Sequence, residues 1–282
     1  MSTPTSFAAS VTPAIRILCT CLITGVSAYA IAAAALYLLQ DWLLLPSAPP
    51  AALSDSRQST GKRIDRWEIG GEFAGYVITP LAQVPTGTVL LYHGNEESAE
   101  TKLPLANVFT CAGYRVAIVE YPGHGKRPGA RTMRAALDAS REALAESFLR
   151  WPGRIWVVGE SLGAGMAAQA VRGNRNPLEG VVLITPWDTL ASLAQEKYPI
   201  FPIHWILHDP FDSVAALAAY DGPLVVIGSA RDTLIPIRHA RQLADAHPGS
   251  ELMVLPDADH DNWFDAMSAA HWRQVLQWVK AA

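Results

Sequence analysis

The hydrophobic pattern changes character once along the chain. From Ile17 to Leu39 there are 23 consecutive residues without a charged side chain. As an α-helix at about 1.5 Å per residue this run would reach roughly 35 Å, enough to cross a hydrocarbon core of about 30 Å. A helix of a soluble domain normally carries charged residues on its outer face, and this run has none. We therefore expect a short tail over residues 1–16, a transmembrane signal-anchor over 17–39 and a linker over 40–62, rich in Pro, Ala and Ser from Pro46 to Thr60. Ala28-Tyr29-Ala30 and Ala32-Ala33-Ala34 leave cleavage as a signal peptide open, with a secreted or periplasmic product. Arg16 ahead of the span places the following domain on the non-cytoplasmic side, while Arg57, Lys62 and Arg63 beyond it pull the other way.

From Arg63 onward short apolar runs alternate with helical periodicity. Ile64–Ile69 and Gly75–Thr79, split by Gly70-Gly71, read as paired strands. Thr88–Tyr92, Arg115–Glu120, Arg154–Val158, Gly180–Ile184, Leu224–Ile227 and Glu251–Leu255 read as further strands. Helices are expected over Ser98–Thr110, Arg131–Leu149, Leu162–Arg172, Arg238–Ala246 and Asp265–Lys280. Strands that are apolar on both faces and alternate with helices belong in a mostly parallel sheet covered on both sides, an α/β architecture. Ala191–Ala219 breaks the rhythm with Pro199, Pro202 and Pro210, and reads as a small cap.

Composition narrows the chemistry. Half of the 282 residues are hydrophobic and 17% are charged, which excludes a disordered chain. A net charge of −4 argues against a nucleic-acid partner. Cys19, Cys21 and Cys111 are too few for a disulfide framework. No zinc spacing, P-loop or dinucleotide fingerprint is present, so neither a metal nor a cofactor is expected.

Gly159-Glu160-Ser161-Leu162-Gly163 matches G-x-S-x-G. Composition alone gives such a match with a probability of about 0.1, so its setting carries the weight. An apolar strand runs into it and a small-residue helix, Ala164-Gly165-Met166-Ala167-Ala168, runs out, the context of a nucleophile elbow. A serine nucleophile needs a base and an acid that orients it, in the chain order Ser, Asp, His. Asp232 follows the strand at 224–227 and His260 follows the last strand. Asp188, Asp257, Asp259 and Asp261 are rival acids. The oxyanion hole is expected from the N–H groups of Leu162 and Asn95, the latter in the loop His93-Gly94-Asn95-Glu96-Glu97-Ser98. His93 is expected to brace that loop, and Tyr121-Pro122-Gly123-His124-Gly125 to shape the pocket wall.

On these motifs the chain resembles the α/β-hydrolase superfamily from about Arg63 to its end, a domain over 63–282. The leading apolar span followed by Gln40-Asp41-Trp42-Leu43-Leu44-Leu45-Pro46, and Asp209-Pro210-Phe211-Asp212-Ser213 in the cap, resemble its single-pass, membrane-anchored branch. That branch includes lysophospholipid lipases and protein depalmitoylases. The resemblance implies Ser161 as nucleophile, Asp232 as acid and His260 as base, acting on small-molecule or lipid esters or thioesters, or on acylated protein. A peptidase on the same scaffold and a membrane-anchored binding protein are the competing readings.

Overall fold

A computed structural model describes residues 13–46 and 61–281. Residues 1–12 of the expected tail and 47–60 of the expected linker, Arg57 included, lie outside the described residues. The chain divides into two units, with the boundary between Gln40 and Asp41.

Among its described residues the first unit is a single helix, α1 (Pro13–Leu44), whose last turn belongs to the second unit. Its apolar side chains, Ile17, Leu22, Ile31 and Leu38 among them, are exposed. By length and composition it is the one helix among the described residues able to cross a membrane. It extends past the expected span at both ends, because helix propagation needs backbone hydrogen bonds and not apolar side chains, and it stops just ahead of Pro46.

The second unit starts earlier than residue 63. The Asp41 carboxylate accepts the Met133 N–H at 2.9 Å, and Leu45 is fully buried. Residues 41–45 of the expected linker are therefore part of the folded body.

Eight strands form one sheet among the described residues: β1 (Lys62–Ile69), β2 (Glu72–Pro80), β3 (Thr88–Tyr92), β4 (Arg115–Val119), β5 (Ile155–Glu160), β6 (Gly180–Ile184), β7 (Leu224–Ser229) and β8 (Glu251–Leu255). Their spatial order is β1-β2-β4-β3-β5-β6-β7-β8. β1 and β2 form an antiparallel hairpin and β2 lies antiparallel to β4, while every later neighbour is parallel. Every residue of β3, β5, β6 and β7 is buried, as strands covered on both faces require.

Alternate side chains feed two cores. Leu90 and Tyr92 pack on one face with Leu144 of α3 (Met133–Arg150) and Met166 of α4 (Leu162–Val171). Val89 and Leu91 pack on the other with Leu105 and Phe109 of α2 (Leu103–Cys111) and Val275 of the helix Ala269–Ala281. Thr132 starts α3 by accepting the Ala135 N–H at 3.1 Å.

Two expected helices are each divided. The run expected over 98–110 is a 3-10 turn, Ala99–Lys102, followed by the helix Leu103–Cys111, because Pro104 fits only a helix start. The final run is split into Trp263–Ala266 and Ala269–Ala281. The segment between β6 and β7, where a cap is expected, holds three short helices, Leu190–Lys197, Ile203–Ile206 and Ser213–Leu217.

Candidate active site

The winding of the sheet reverses at β3. The chain passes from β3 to β4 on one side and returns to β5 on the other. The crevice outside the carboxyl ends of β3 and β5 is thus a topological switch point, where open α/β sheets bind ligands. The loop 93–98 leaves one of these strands and Ser161 leaves the other.

Ser161 sits between β5 and α4 at φ 53° and ψ −117°, a backbone conformation that L-residues avoid and that costs about 1–3 kcal/mol. The turn is so tight that its flanking glycines have no alternative. A Cβ on Gly159 would lie 2.1 Å from the Gly163 carbonyl oxygen, and one on Gly163 would lie 2.2 Å from that of Tyr92. The Ser161 N–H donates to the Ile184 carbonyl at 2.9 Å, fixing the turn to β6. Leu162 is the first residue of α4, so its N–H has no partner within the helix and points where the helix dipole favours negative charge.

Ser161 Oγ lies 3.0 Å from His260 Nε2, and His260 Nδ1 lies 2.7 Å from Asp232 Oδ2. The second Asp232 oxygen accepts the N–H groups of Leu234 and Ile235 at 2.8 and 2.7 Å, so the carboxylate is anchored before it meets the imidazole. With Nδ1–H donating to Asp232, Nε2 is free to accept the serine proton. Burial pulls the His260 pKa down. The hydrogen bond and charge of Asp232, aided by Glu160 and Asp261, more than reverse this and hold it above the ordinary imidazole value.

A cavity of about 310 Å³ opens onto Ser161 and His260. Asn95, Glu96, Glu97, Glu160, Asp261 and Leu234 contribute to its wall. Asn95 Oδ1 accepts the Glu96 N–H at 2.9 Å, which turns the Asn95 side chain back onto its own loop and leaves its backbone as the group of interest.

The loop itself is held from behind. His93 Nδ1 donates to the Gly94 carbonyl at 2.7 Å and Nε2 lies 2.9 Å from Glu120 Oε1, the bracing role expected of it. Tyr121 O–H donates to the His93 carbonyl at 3.0 Å. The loop 121–125 was expected to form pocket wall. It does not line the cavity, because Tyr121 and His124 pack against the His93 ring on the far side of the loop.

Of the rival acids, Asp188 pairs with a different imidazole, His239, at 2.6 Å. Asp257 pairs with Arg231 at the surface, and Asp259 caps the turn at 261–262. Sequence reasoning missed two features. One is the Asp188–His239 pair, which Glu196 of the helix Leu190–Lys197 joins at 3.4 Å from Nε2. The other is a buried lysine, Lys102, in contact with both Glu97 and Glu160. The only trace of the second was an acidic residue inside a buried strand end, Glu160. Among the described residues no cluster of His, Cys, Asp and Glu suited to a metal ion is found.

Comparison with known proteins agrees with this architecture. A family model described as serine aminopeptidase, S33, matches residues 83–208, which include the loop 93–98, the elbow and much of the cap. An uncharacterized protein of Mycobacterium tuberculosis is 26% identical over 225 residues, covering 78% of this chain and 79% of its own length. The α/β-hydrolase domain-containing protein WAV2 of Arabidopsis thaliana is 20% identical over 249 residues, with 79% and 77% covered. The Pyrococcus furiosus esterase Pf2001 superposes with a TM-score of 0.64 at 18% identity, covering 84% of this chain and 97% of its own. Est1E of Butyrivibrio proteoclasticus, solved with ferulic acid bound, gives a TM-score of 0.62 at 14% identity, covering 77% and 96%.

Proposed function

We propose that this chain, which has the α/β-hydrolase fold, is a membrane-anchored serine hydrolase that cleaves carboxylic ester or thioester bonds. The observation that carries the reading is the unbroken hydrogen-bonded line Ser161–His260–Asp232 opening onto a cavity at the sheet's switch point.

In this reading Ser161 Oγ attacks the acyl carbon as His260 Nε2 takes its proton. Asp232 holds the imidazole in the Nδ1–H tautomer and stabilises the imidazolium that forms. The Leu162 and Asn95 N–H groups receive the oxyanion. The tetrahedral adduct collapses and expels the alcohol or thiol, which His260 protonates. A water deprotonated by His260 then releases the acid. A cavity of about 310 Å³ holds a small acyl group whole, near the lower end of the roughly 300–1,000 Å³ of small-molecule sites. An acyl-lipid or acyl-protein substrate, as the membrane-anchored branch suggests, would leave much of a long chain outside it. The apolar α1 supports anchoring, and in this reading Arg16 ahead of the span favours a catalytic domain on the non-cytoplasmic side.

A second reading, an aminopeptidase or amidase, has one observation in its favour. Glu96, Glu97, Glu160 and Asp261 all reach the cavity wall, and carboxylates suit a substrate bearing a free amine. Paired substrates with one acyl group, a p-nitrophenyl ester and a p-nitroanilide with and without an α-amine, separate the two. The esterase reading expects turnover of the simple ester; turnover confined to the α-amino anilide supports the second.

A further inference from the structure

Neither the nucleophile, the base and acid nor the oxyanion donors account for Lys102, a cation that contacts two carboxylates of the cavity wall with only 8% of its side chain exposed. A buried ammonium is costly unless it is paired and hydrogen-bonded. Its Nζ meets Glu97 Oε1 at 2.5 Å and also Glu160 Oε2. Burial works to lower the lysine pKa, and the charges of Glu160 and Glu97 more than offset it, so the cation persists.

The two carboxylates are fully used. Glu97 Oε2 accepts the Gly94 N–H at 2.7 Å. Glu160 Oε1 accepts the indole N–H of Trp263 at 2.8 Å. Each far contact lands beside a different part of the site. Gly94 precedes Asn95, Glu160 precedes Ser161, and Trp263 follows His260 by three residues. The loop after β3, the end of β5 and the loop after β8, distant in sequence, are therefore linked through one ammonium and its two carboxylates.

We infer that Lys102 is a positioning residue, which through Glu97 and Glu160 holds the oxyanion loop, the nucleophile elbow and the histidine loop in register. This rests on the serine hydrolase reading above. Lys102 itself touches no reacting atom. Its effect is on the placement of the Asn95 N–H, and a shift of about 1 Å in a group aimed at the transition state can cost about 100-fold in rate. The network also has an electrical consequence. The charged groups facing His260 are Asp232, Glu160 and Asp261, with Glu96 and Glu97 on the cavity wall and Lys102 paired to Glu97 and Glu160. Two carboxylates share one ammonium, so the trio presents net negative charge to the imidazole.

The test uses the purified full chain in detergent, a soluble short-chain p-nitrophenyl ester, and the variants Glu97→Ala, Glu97→Gln, Lys102→Met and Glu160→Gln. Glu97 is 28% exposed, so its variants can fold even if Lys102→Met does not. Glu97→Ala is expected to lower kcat about 10- to 100-fold with KM within about twofold, the pattern of an interaction realised in the transition state. Glu97→Gln keeps one oxygen for the Gly94 N–H but turns its amide nitrogen toward the Lys102 ammonium, so it is expected to recover only part of the loss. Glu160→Gln removes a negative charge near the imidazole and is expected to move the acid limb of the kcat/KM profile to lower pH. Lys102→Met, where it folds, is expected to lower kcat at unchanged KM. Wild-type kcat in Glu97→Ala or in a folded Lys102→Met, full recovery of kcat in Glu97→Gln, or an unmoved acid limb in Glu160→Gln overturns the inference alone. A folded wild type that turns over no ester overturns the serine hydrolase reading and the inference with it.

Discussion

His260 Nδ1 donates to Asp232, 28 residues away, and to none of the three aspartates that surround it in sequence. The distinction is one of burial and anchoring. The Asp232 side chain is 1% exposed and held by two backbone N–H groups, whereas Asp257 is 79% exposed. A fixed, dry carboxylate can set a tautomer; a solvated one rotates away. Asp232→Asn, if this relationship is functional, is expected to lower kcat by about 10⁴-fold with little change in KM, since an amide can favour the wrong tautomer. Asp257→Asn in the same assay is expected to match wild type. Equal effects of the two would break the assignment.

The raised pKa of His260 sets two pH dependences of opposite sign. The base must be neutral to act, so kcat/KM is expected to rise with pH through an apparent pKa above about 6.5, the ordinary imidazole value. Stability runs the other way. A folded pKa above the unfolded one favours the protonated folded state. That contribution is fully present below the unfolded pKa and is lost as pH rises through the folded one. Thermal unfolding of wild type and His260→Ala across pH 5–9 should therefore show a gap that narrows toward the alkaline side, and a gap that widens there would contradict the geometry.

The Asp188–His239 pair tells against a second catalytic dyad. His239 is fully buried, faces Asp188 and Glu196, and lies away from the cavity wall. It joins the body helix Ile237–Asp245 to the cap helix Leu190–Lys197. Asp188→Ala is expected to destabilise the fold by about 2–3 kcal/mol, the worth of a buried charge-assisted hydrogen bond. Covalent labelling of Ser161 should persist in that variant below its lowered melting temperature. Abolished labelling in a folded Asp188→Ala would give the pair a role in the chemistry.

The elbow glycines are steric requirements, and Gly163 more severely than most. A methyl group there meets backbone, the Tyr92 and His93 carbonyl oxygens, and not a side chain that could swing aside. Gly163→Ala is expected to cost about 3 kcal/mol or more, at the upper end of overpacking. Chemical denaturation would read this directly, and a stable, active Gly163→Ala would show that the turn relaxes.

Much of this arrangement was legible in the residues. The strands at 88–92, 155–160, 180–184 and 224–229 lie where apolar runs end in turn residues, because burial on both faces leaves no room for polar alternation. Ser161, Asp232 and His260 were legible for a related reason: each follows a strand at the sheet's carboxyl edge. What could not be read depends on distance. Periodicity gave no hint that Lys102 meets Glu160 across 58 residues, or that Asp188 selects His239. The helix α1 runs past its apolar core because hydropathy marks where a helix is insoluble, and capping and proline mark where it ends.

The central claim is that Ser161 is an activated nucleophile. Its most direct test is labelling of the folded full-length protein with a fluorophosphonate, followed by mass mapping of the adduct, in wild type and Ser161→Ala. The account predicts one phosphonyl adduct on the peptide carrying Ser161, and none on a Ser161→Ala protein that melts at the wild-type temperature. A folded wild type that takes no label, or an adduct that survives in Ser161→Ala, would contradict it.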